Sequence, residues 1–348
     1  MATKSEKVIG ICYAYNCGEE YDMVKDMGVH WIRMGAPFPW ADKMFGTLSE
    51  AYVTAKEKIR VAHKYGMKIM ATSPGLGGYR FDPVKKVTYW HDSWPAFAGE
   101  KGTQSFFDNV RLTTKFICED LGDLVSDIWQ NMNEIDIPVF AKDYILEVTT
   151  GTARASAEGV VEANPKALCG INLANYYGEN GLTTADMAYR PGHKFGYIGD
   201  DQYFGSWQDR DVDAWKDVID GLYKRYNLPV LANEWGYSSG GDVTKVRPEE
   251  KDILLGWTDV CTAKKWFNES KGGHTEEVQA EYLRRGLELF ANHPHCMGSF
   301  MFCWRDAHNC YHCGQTECPA ECFWGVVGED LKPKKAYYAI KKAIAEYY

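Results

Sequence analysis

The sequence predicts a single (β/α)8 barrel, a TIM barrel, over residues 1–348. Three observations predict it. Eight apolar runs alternate with segments of helical period, the links from helix to strand are short, and the links from strand to helix are long. Near-continuous apolar runs are typical of parallel strands that are covered on both faces. The length of 348 residues also suits one barrel domain.

The alternation extends from one end of the chain to the other. The predicted strands lie within residues 8–15, 30–38, 67–75, 127–135, 167–175, 194–204, 229–237 and 296–304. Between them, apolar residues recur every three or four positions and so share one helical face. The clearest stripes begin at Tyr52, Trp215, Ala280 and Tyr337. The helices after the fourth and fifth runs are less clear.

The long links predict where a site would lie. They cover residues 76–103, 238–275 and 305–332. In a barrel, every link that follows a strand lies at the C-terminal mouth, where active sites are found.

Composition and charge exclude several classes of partner. The net charge is −9 and no cluster of Lys and Arg is present, which disfavours nucleic acid and other polyanions. No apolar stretch is long enough to span a bilayer, so we expect no membrane association. The N-terminus lacks an apolar signal core, which predicts a cytoplasmic protein, or a secreted one if a leader has been removed.

Two glutamates end predicted strands on opposite sides of the barrel. Glu134 lies at the end of the fourth run and Glu234 at the end of the seventh. Hydrolysis of a glycosidic bond needs one carboxyl group to protonate the leaving oxygen and another to attack the anomeric carbon. The second carboxylate also keeps the acid protonated near neutral pH. The pattern therefore indicates a glycosidase that requires no cofactor for catalysis.

The motifs Asn133-Glu134 and Asn233-Glu234-Trp235-Gly236-Tyr237 resemble those of glycoside hydrolase clan A, whose members are retaining barrel glycosidases. The resemblance covers essentially the whole chain through its strand order. It implies that Glu134 is the acid/base and that Glu234 is the nucleophile, acting on a carbohydrate with a β-glycosidic bond. The same resemblance assigns substrate-site roles to four other residues, namely Arg33, Asn133, Tyr203 and Trp304.

One motif departs from the clan. Many members carry His-x-Tyr on the sixth strand, where this chain has Asp201-Gln202-Tyr203. The equivalence of Tyr203 is therefore open, and Asp200 or Asp201 is a candidate to bind the substrate instead.

Aromatic residues in the mouth loops are candidate sugar platforms, because indole rings stack on the apolar faces of sugars. Core packing is the competing interpretation for such large apolar side chains. The candidates are Trp40, Trp207, Trp235 and Trp304.

A cysteine-rich loop follows the eighth strand. The spacing Cys310-x2-Cys313-x4-Cys318-x3-Cys322 predicts a structural Zn2+ held by four thiolates, with disulfides or free thiols as alternatives. Such a metal would help to fold a loop that has few apolar residues.

Two further functions compete with the glycosidase. One is a metal-dependent barrel hydrolase that uses the cysteine loop together with His308 and His312. The other is a carbohydrate-binding barrel without catalysis. The first predicts activity that is lost on chelation, and the second predicts sugar binding without turnover.

Overall fold

A computed structural model describes residues 7–12, 18–82, 84–85, 87–174, 176–241, 272–310, 314, 316, 318 and 320–348. The strands are β1 (Val8–Cys12), β2 (Trp31–Gly35), β3 (Lys68–Thr72), β4 (Gly77–Asp82), β5 (Val87–Asp92), β6 (Ile128–Gln130), β7 (Leu168–Gly170), β8 (Asn172–Leu173), β9 (Ile198–Gln202), β10 (Val230–Trp235) and β11 (Cys296–Met301). The α-helices are α1 (Gly18–Asp26), α2 (Glu50–Lys64), α3 (Gln104–Leu121), α4 (Pro138–Ala141), α5 (Leu146–Ala163), α6 (Glu179–Ala188), α7 (Trp215–Tyr226), α8 (Glu276–Asn292) and α9 (Lys335–Tyr347).

The predicted barrel is confirmed. Nine of the described strands form one parallel sheet in the order β7-β6-β3-β2-β1-β11-β10-β9-β8. β7 and β8 are two halves of the fifth apolar run, separated by Ile171, and they lie at opposite ends of that order. The sheet therefore curves back to the same segment of chain, and each of the eight predicted runs supplies one position in the barrel.

The helices cover the outside of the barrel through their apolar stripes. In α7, for example, Trp215, Ile219 and Leu222 are fully buried, as the spacing predicted. Three of the longer helices begin at residues whose side chains accept a hydrogen bond from the first turn, which satisfies a backbone N–H that the helix leaves unpaired. Such caps are Ser49 for α2, Thr103 for α3 and Thr275 for α8.

The loop asymmetry is also confirmed for the described residues. α2 ends at Lys64 and β3 begins at Lys68, whereas β3 ends at Thr72 and α3 begins at Gln104. The long link after β3 contains a hairpin of its own, in which β4 and β5 pair as antiparallel strands. Most of the predicted loop 238–275 lies outside the described residues. The assignment of residues 1–348 to one domain stays a prediction.

Among the described helices, none has the length and apolar character needed to cross a membrane.

Polar residues in fully buried strands mark the part of the barrel that packing does not explain. β9 has the sequence IGDDQ and β10 the sequence VLANEW, yet all of their residues are buried. Burying a polar side chain is costly unless it is hydrogen-bonded or has a chemical role. These strands therefore point to the functional site.

Barrel closure between β1 and β11 depends on a glycine. Gly298 has φ +147, and a Cβ atom there would lie 2.2 Å from the carbonyl oxygen of Val8. We expect Gly298→Ala to lower the free energy of unfolding by about 3 kcal/mol, because a rigid backbone must move to admit the methyl group. Urea unfolding measures this. Gly35→Ala is the control, since no atom lies within 4 Å of its Cβ position, and equal stability of both variants would contradict the prediction.

Candidate active site

Glu234 lies at the end of β10, inside the barrel mouth, and is almost fully buried. Its Oε1 forms an ion pair with Arg33, which reaches across from β2. Its Oε2 accepts a hydrogen bond from the hydroxyl group of Tyr203, which directly follows β9. Each carboxylate oxygen is therefore held by a donor from a different strand, and the group has one defined orientation.

Glu134 lies in the loop after β6 rather than on the strand, which ends at Gln130. Its backbone has φ +42, and its amide N–H donates to Oδ1 of Asn172 at 3.1 Å. Its Oε2 accepts a hydrogen bond from Nδ2 of Asn133 at 3.3 Å. Asn133 and Glu134 both keep part of their surface exposed to solvent. These two residues therefore lie at the edge of the buried site.

The environments of the two glutamates differ in charge. Burial raises the pKa of Glu134 well above its ordinary value of 4.5, and the nearby carboxylate of Glu234 raises it further. Arg33 acts in the opposite direction on the pKa of Glu134 but is bonded to Glu234. The site thus contains one carboxyl group that favours its proton and one that is paired with a cation.

Asp201 was predicted to bind the substrate, and the structure corrects that prediction. The side chain has no exposed surface, and its Oδ2 accepts a hydrogen bond from Asn172. Burial raises the pKa of Asp201 well above its ordinary value of 3.8, followed in size by the charges of Glu234 and Glu134. Asp201 is therefore a buried neighbour of Glu134 and Glu234 that is bonded to Asn172. The neighbouring candidate Asp200 is also fully buried, and its Oδ2 accepts a hydrogen bond from Gln202 at 3.1 Å.

Three of the predicted tryptophan platforms are wrong, because their rings are buried in the core. Trp40 is 3% exposed and packs edge-on against Phe38. Trp235 is fully buried under α8, with its ring 4.8 Å from that of Phe290. Trp304 is fully buried as well, and its Nε1 donates to Glu20 at 2.6 Å. A ring without exposed surface cannot stack on a sugar.

Other aromatic residues lie beside the carboxylate pair. Phe302, which follows β11, is partly exposed, and its ring centroid lies 5.6 Å from that of Tyr203. Trp324 is buried behind both rings, 5.0 Å from Tyr203. Trp207 is partly exposed and packs against the same cluster, so it stays a candidate platform. Phe302 was not predicted from the sequence, although its position two residues before Trp304 places it close to the same strand end.

Two amide residues that were also not predicted from the sequence connect the side chains of the site by hydrogen bonds. Gln130 and Asn172 are both fully buried. Gln130 accepts a hydrogen bond from Arg33 at 3.1 Å and donates one to Asn172 at 2.9 Å. The signal in the sequence for Gln130 was a polar residue within an apolar run, four positions before Glu134.

The cysteine loop is partly described. Cys310, Cys318 and Cys322 are buried together in a small cluster against Trp207 and Phe323. Cys313 and His312 lie outside the described residues. His308 is exposed and pairs with Glu329 at 3.0 Å. No group of three or more His, Cys, Asp or Glu residues within the described ranges is arranged to hold a metal ion. The structural zinc stays a prediction.

The protonation of Asp201 predicts a pH dependence of stability. Because its pKa is raised, the folded protein keeps this proton over a pH range in which the unfolded chain loses it, so stability falls as pH rises above 3.8. Asparagine has the same shape and cannot ionise. We expect Asp201→Asn to gain stability relative to wild type with rising pH, by up to about 1.4 kcal/mol per unit. Urea unfolding between about pH 4 and about pH 7 measures this, and a difference that is constant with pH would contradict it.

The fold resembles those of several solved glycoside hydrolases. A family 5 glycoside hydrolase from Streptomyces cattleya has a TM-score of 0.66 at 13% identity, over 98% of this chain and 81% of that one. A family 53 catalytic domain from Ignisphaera aggregans has a TM-score of 0.65 at 15% identity, over 99% of this chain and 97% of that one. A family 39 glycoside hydrolase from Bacteroides cellulosilyticus has a TM-score of 0.61 at 14% identity, over 98% of this chain and 64% of that one.

The chain spans less than two thirds of the family 39 enzyme and 35% of a Bacteroides uniformis β-glucuronidase that it also resembles, with a TM-score of 0.60 and 17% identity. No protein-family model matches the sequence. No curated protein sequence matches it either. At these identities the likeness shows the fold alone, a (β/α)8 barrel.

Proposed function

We propose that this protein is a retaining glycoside hydrolase that cleaves a β-glycosidic bond by double displacement. Glu134 acts as the acid/base and Glu234 as the nucleophile. The observation that carries the proposal is the pairing of two carboxyl groups with opposite environments at one barrel mouth. Glu234 is bonded to Arg33 and Tyr203, while burial and the charge of Glu234 raise the pKa of Glu134 well above its ordinary value.

The contacts of Glu234 suit a nucleophile. Arg33 and Tyr203 each donate to one oxygen of Glu234, and these two bonds fix the direction of the attacking lone pair. In the first step, an oxygen of Glu234 forms a bond to the anomeric carbon. The bond from that carbon to the leaving oxygen breaks, and the leaving oxygen takes the proton of Glu134.

The surroundings of Glu134 suit a group that reverses its role. The charge of Glu234 is one of the causes that raise the pKa of Glu134. When Glu234 becomes an ester in the glycosyl-enzyme, that charge disappears and the pKa of Glu134 falls. Glu134 can then take a proton from the attacking water, which releases the sugar and restores both carboxyl groups.

The substrate proposed is a neutral β-glycoside. The net charge of −9 and the carboxyl groups at the mouth disfavour polyanionic substrates. Phe302 and Trp207 keep exposed ring surface near the pair, and such rings can stack on a sugar face. The resemblance to clan A also implies that the amide of Asn133 binds the 2-hydroxyl group of the sugar.

A panel of aryl β-glycosides tests the reaction. We expect wild type to hydrolyse one of the glucoside, galactoside, mannoside, xyloside, arabinoside or glucuronide substrates. Glu234→Gln should lose about 10³-fold or more of that rate, because the nucleophile is removed while the volume is kept. Circular dichroism checks that the variant folds. Glu346→Gln, an exposed glutamate in α9, is the control and should keep wild-type activity.

Several results of the panel would contradict the mechanism. A folded Glu234→Gln that keeps the wild-type rate would move the chemistry away from this carboxylate. Activity that chelation abolishes and that Glu234→Gln does not change would support the metal-dependent alternative. Sugar binding without turnover by wild type would support a binding barrel.

The stereochemistry of the first product tests double displacement separately. Two inversions at the anomeric carbon return the β-configuration. Proton NMR during early turnover should therefore show the β-anomer before it mutarotates. The α-anomer as first product would indicate a single displacement, in which Glu234 would act as a base on water.

A further inference from the structure

Gln130 lies between the two halves of the carboxylate pair. It is the last residue of β6 and is fully buried. Its Oε1 faces the side of the nucleophile, where it accepts from Arg33 at 3.1 Å and from Nδ2 of Asn233 at 2.9 Å. Its Nε2 faces the side of the acid, where it donates to Oδ1 of Asn133 and to Oδ1 of Asn172, each at 2.9 Å.

The guanidinium group of Arg33 determines which way the Gln130 amide points. Arginine donates hydrogen bonds, accepts none and keeps its charge in proteins. The oxygen of Gln130 must therefore face Arg33, and the nitrogen must face the opposite direction. A reversed amide would bring two donors together and leave the oxygens of Asn133 and Asn172 without this donor.

The orientation passes on to the asparagines. Because Oδ1 of Asn133 accepts from Gln130 and from Nδ2 of Asn172 at 3.0 Å, its Nδ2 is directed to Glu134. Because Oδ1 of Asn172 accepts from Gln130 and from the backbone of Glu134, its Nδ2 is directed to Asn133 and to Asp201. Reversal of one amide would therefore place donors or acceptors in conflict at the next.

The same residue supports an unfavourable stretch of backbone. Met132 has φ +70 and Glu134 has φ +42, in the left-handed region that non-glycine residues rarely adopt. The carbonyl oxygen of Met132 also lies 2.9 Å from Nε2 of Gln130, so that the two amide hydrogens are shared among three acceptors. The backbone N–H of Met132 donates to Ser73 Oγ at 3.1 Å. These bonds hold the loop that carries the acid.

We propose that Gln130 is a positioning residue that makes Asn133 donate a hydrogen bond to Glu134, in an orientation imposed by Arg33 on the nucleophile side. The role of Gln130 in catalysis rests on the proposed glycosidase function, whereas the relay of amide orientation does not. Gln130 itself does not touch the reacting atoms; it acts through Asn133. Loss of its amide leaves Asn133 able to rotate and removes a donor that favours the charged form of Glu134.

Titration of Glu134 tests the relay without any substrate. The protein is labelled with carbon-13 at its glutamate side-chain carboxyls, and the Glu134 signal is the one that Glu134→Gln removes. We expect Gln130→Met, which keeps the volume and removes the amide, to raise the pKa of Glu134 by about half a unit or more. The charged groups around Glu134 are unchanged in this variant. They are Glu234, Arg33, Asp136, Asp201 and Glu321.

Gln279→Met is the matched control. Gln279 is also fully buried, and the two hydrogens of its Nε2 are shared among three backbone carbonyl oxygens, those of Tyr237, Trp324 and Gly325. The control therefore loses a buried glutamine amide outside the relay and should leave the titration of Glu134 unchanged. An unchanged pKa of Glu134 in Gln130→Met, or equal shifts in both variants, would overturn the proposal.

Two further variants keep the test decisive. Gln130→Asn keeps a polar side chain that is too short to span from Arg33 to Asn133, and it should shift the pKa of Glu134 in the same direction if Gln130→Met fails to fold. Asn133→Ala removes the final donor directly. Adding Asn133→Ala to Gln130→Asn should give no larger shift than Asn133→Ala alone, since both changes remove one bond. Additive shifts would show that Gln130 acts by another route.

Leaving-group dependence then tests the role in catalysis. A 2,4-dinitrophenyl glycoside needs little acid assistance, whereas a 4-methoxyphenyl glycoside needs much. We expect Gln130→Asn to lose about tenfold more kcat/KM on the second substrate than on the first. Equal losses would contradict the role in catalysis. If wild type hydrolyses neither substrate, the proposed function fails, while the titration of Glu134 still decides the relay.

Discussion

One buried ion pair organises the barrel mouth. Arg33 extends from β2 to Glu234 on β10, into a space that also holds the carboxyl groups of Glu134 and Asp201. A buried charge is costly unless it is paired. The guanidinium supports one carboxylate through a direct contact, and the other two carboxyl groups have raised pKa values because they are buried close to that anion. Separation of carboxyl groups by environment is the condition for dividing acid and nucleophile roles between them.

The neutral amides determine in which direction the hydrogen bonds of this site run. Gln130 and Asn172 have no charge of their own, but each has a donor end and an acceptor end that its neighbours constrain. A network of this kind is stable when every donor faces an acceptor. An amide in the reversed orientation leaves buried polar groups unpaired and lowers the stability of the folded protein. The donor-only guanidinium of Arg33 sets the orientation at one end, and the carboxyl groups of Glu134 and Asp201 receive the donors at the other.

Sequence patterns predicted the barrel and the location of the glutamates because both depend on short-range order. Buried parallel strands are apolar along their length, so a carboxylate that ends such a run is conspicuous, as at Glu234. The prediction of Trp235 as a sugar platform was wrong for a related reason. Successive side chains of a strand point to opposite faces, so Trp235 must face the helices if Glu234 faces the barrel interior. For Gln130 and Asn172 the only signal in the sequence was a polar residue within an apolar run. The hydrogen bonds that give them a role join distant strands, which spacing along the chain does not show.

The covalent intermediate is the most direct test of the account. A 2-deoxy-2-fluoro β-glycoside with an activated leaving group slows the second displacement more than the first, so the glycosyl-enzyme accumulates. The sugar ring should be that of the glycon which the enzyme hydrolyses. Intact-protein mass spectrometry and peptide sequencing should then find one sugar per chain, attached to Glu234. A sugar attached to another residue, or turnover of the compound without any attached sugar, would contradict the mechanism.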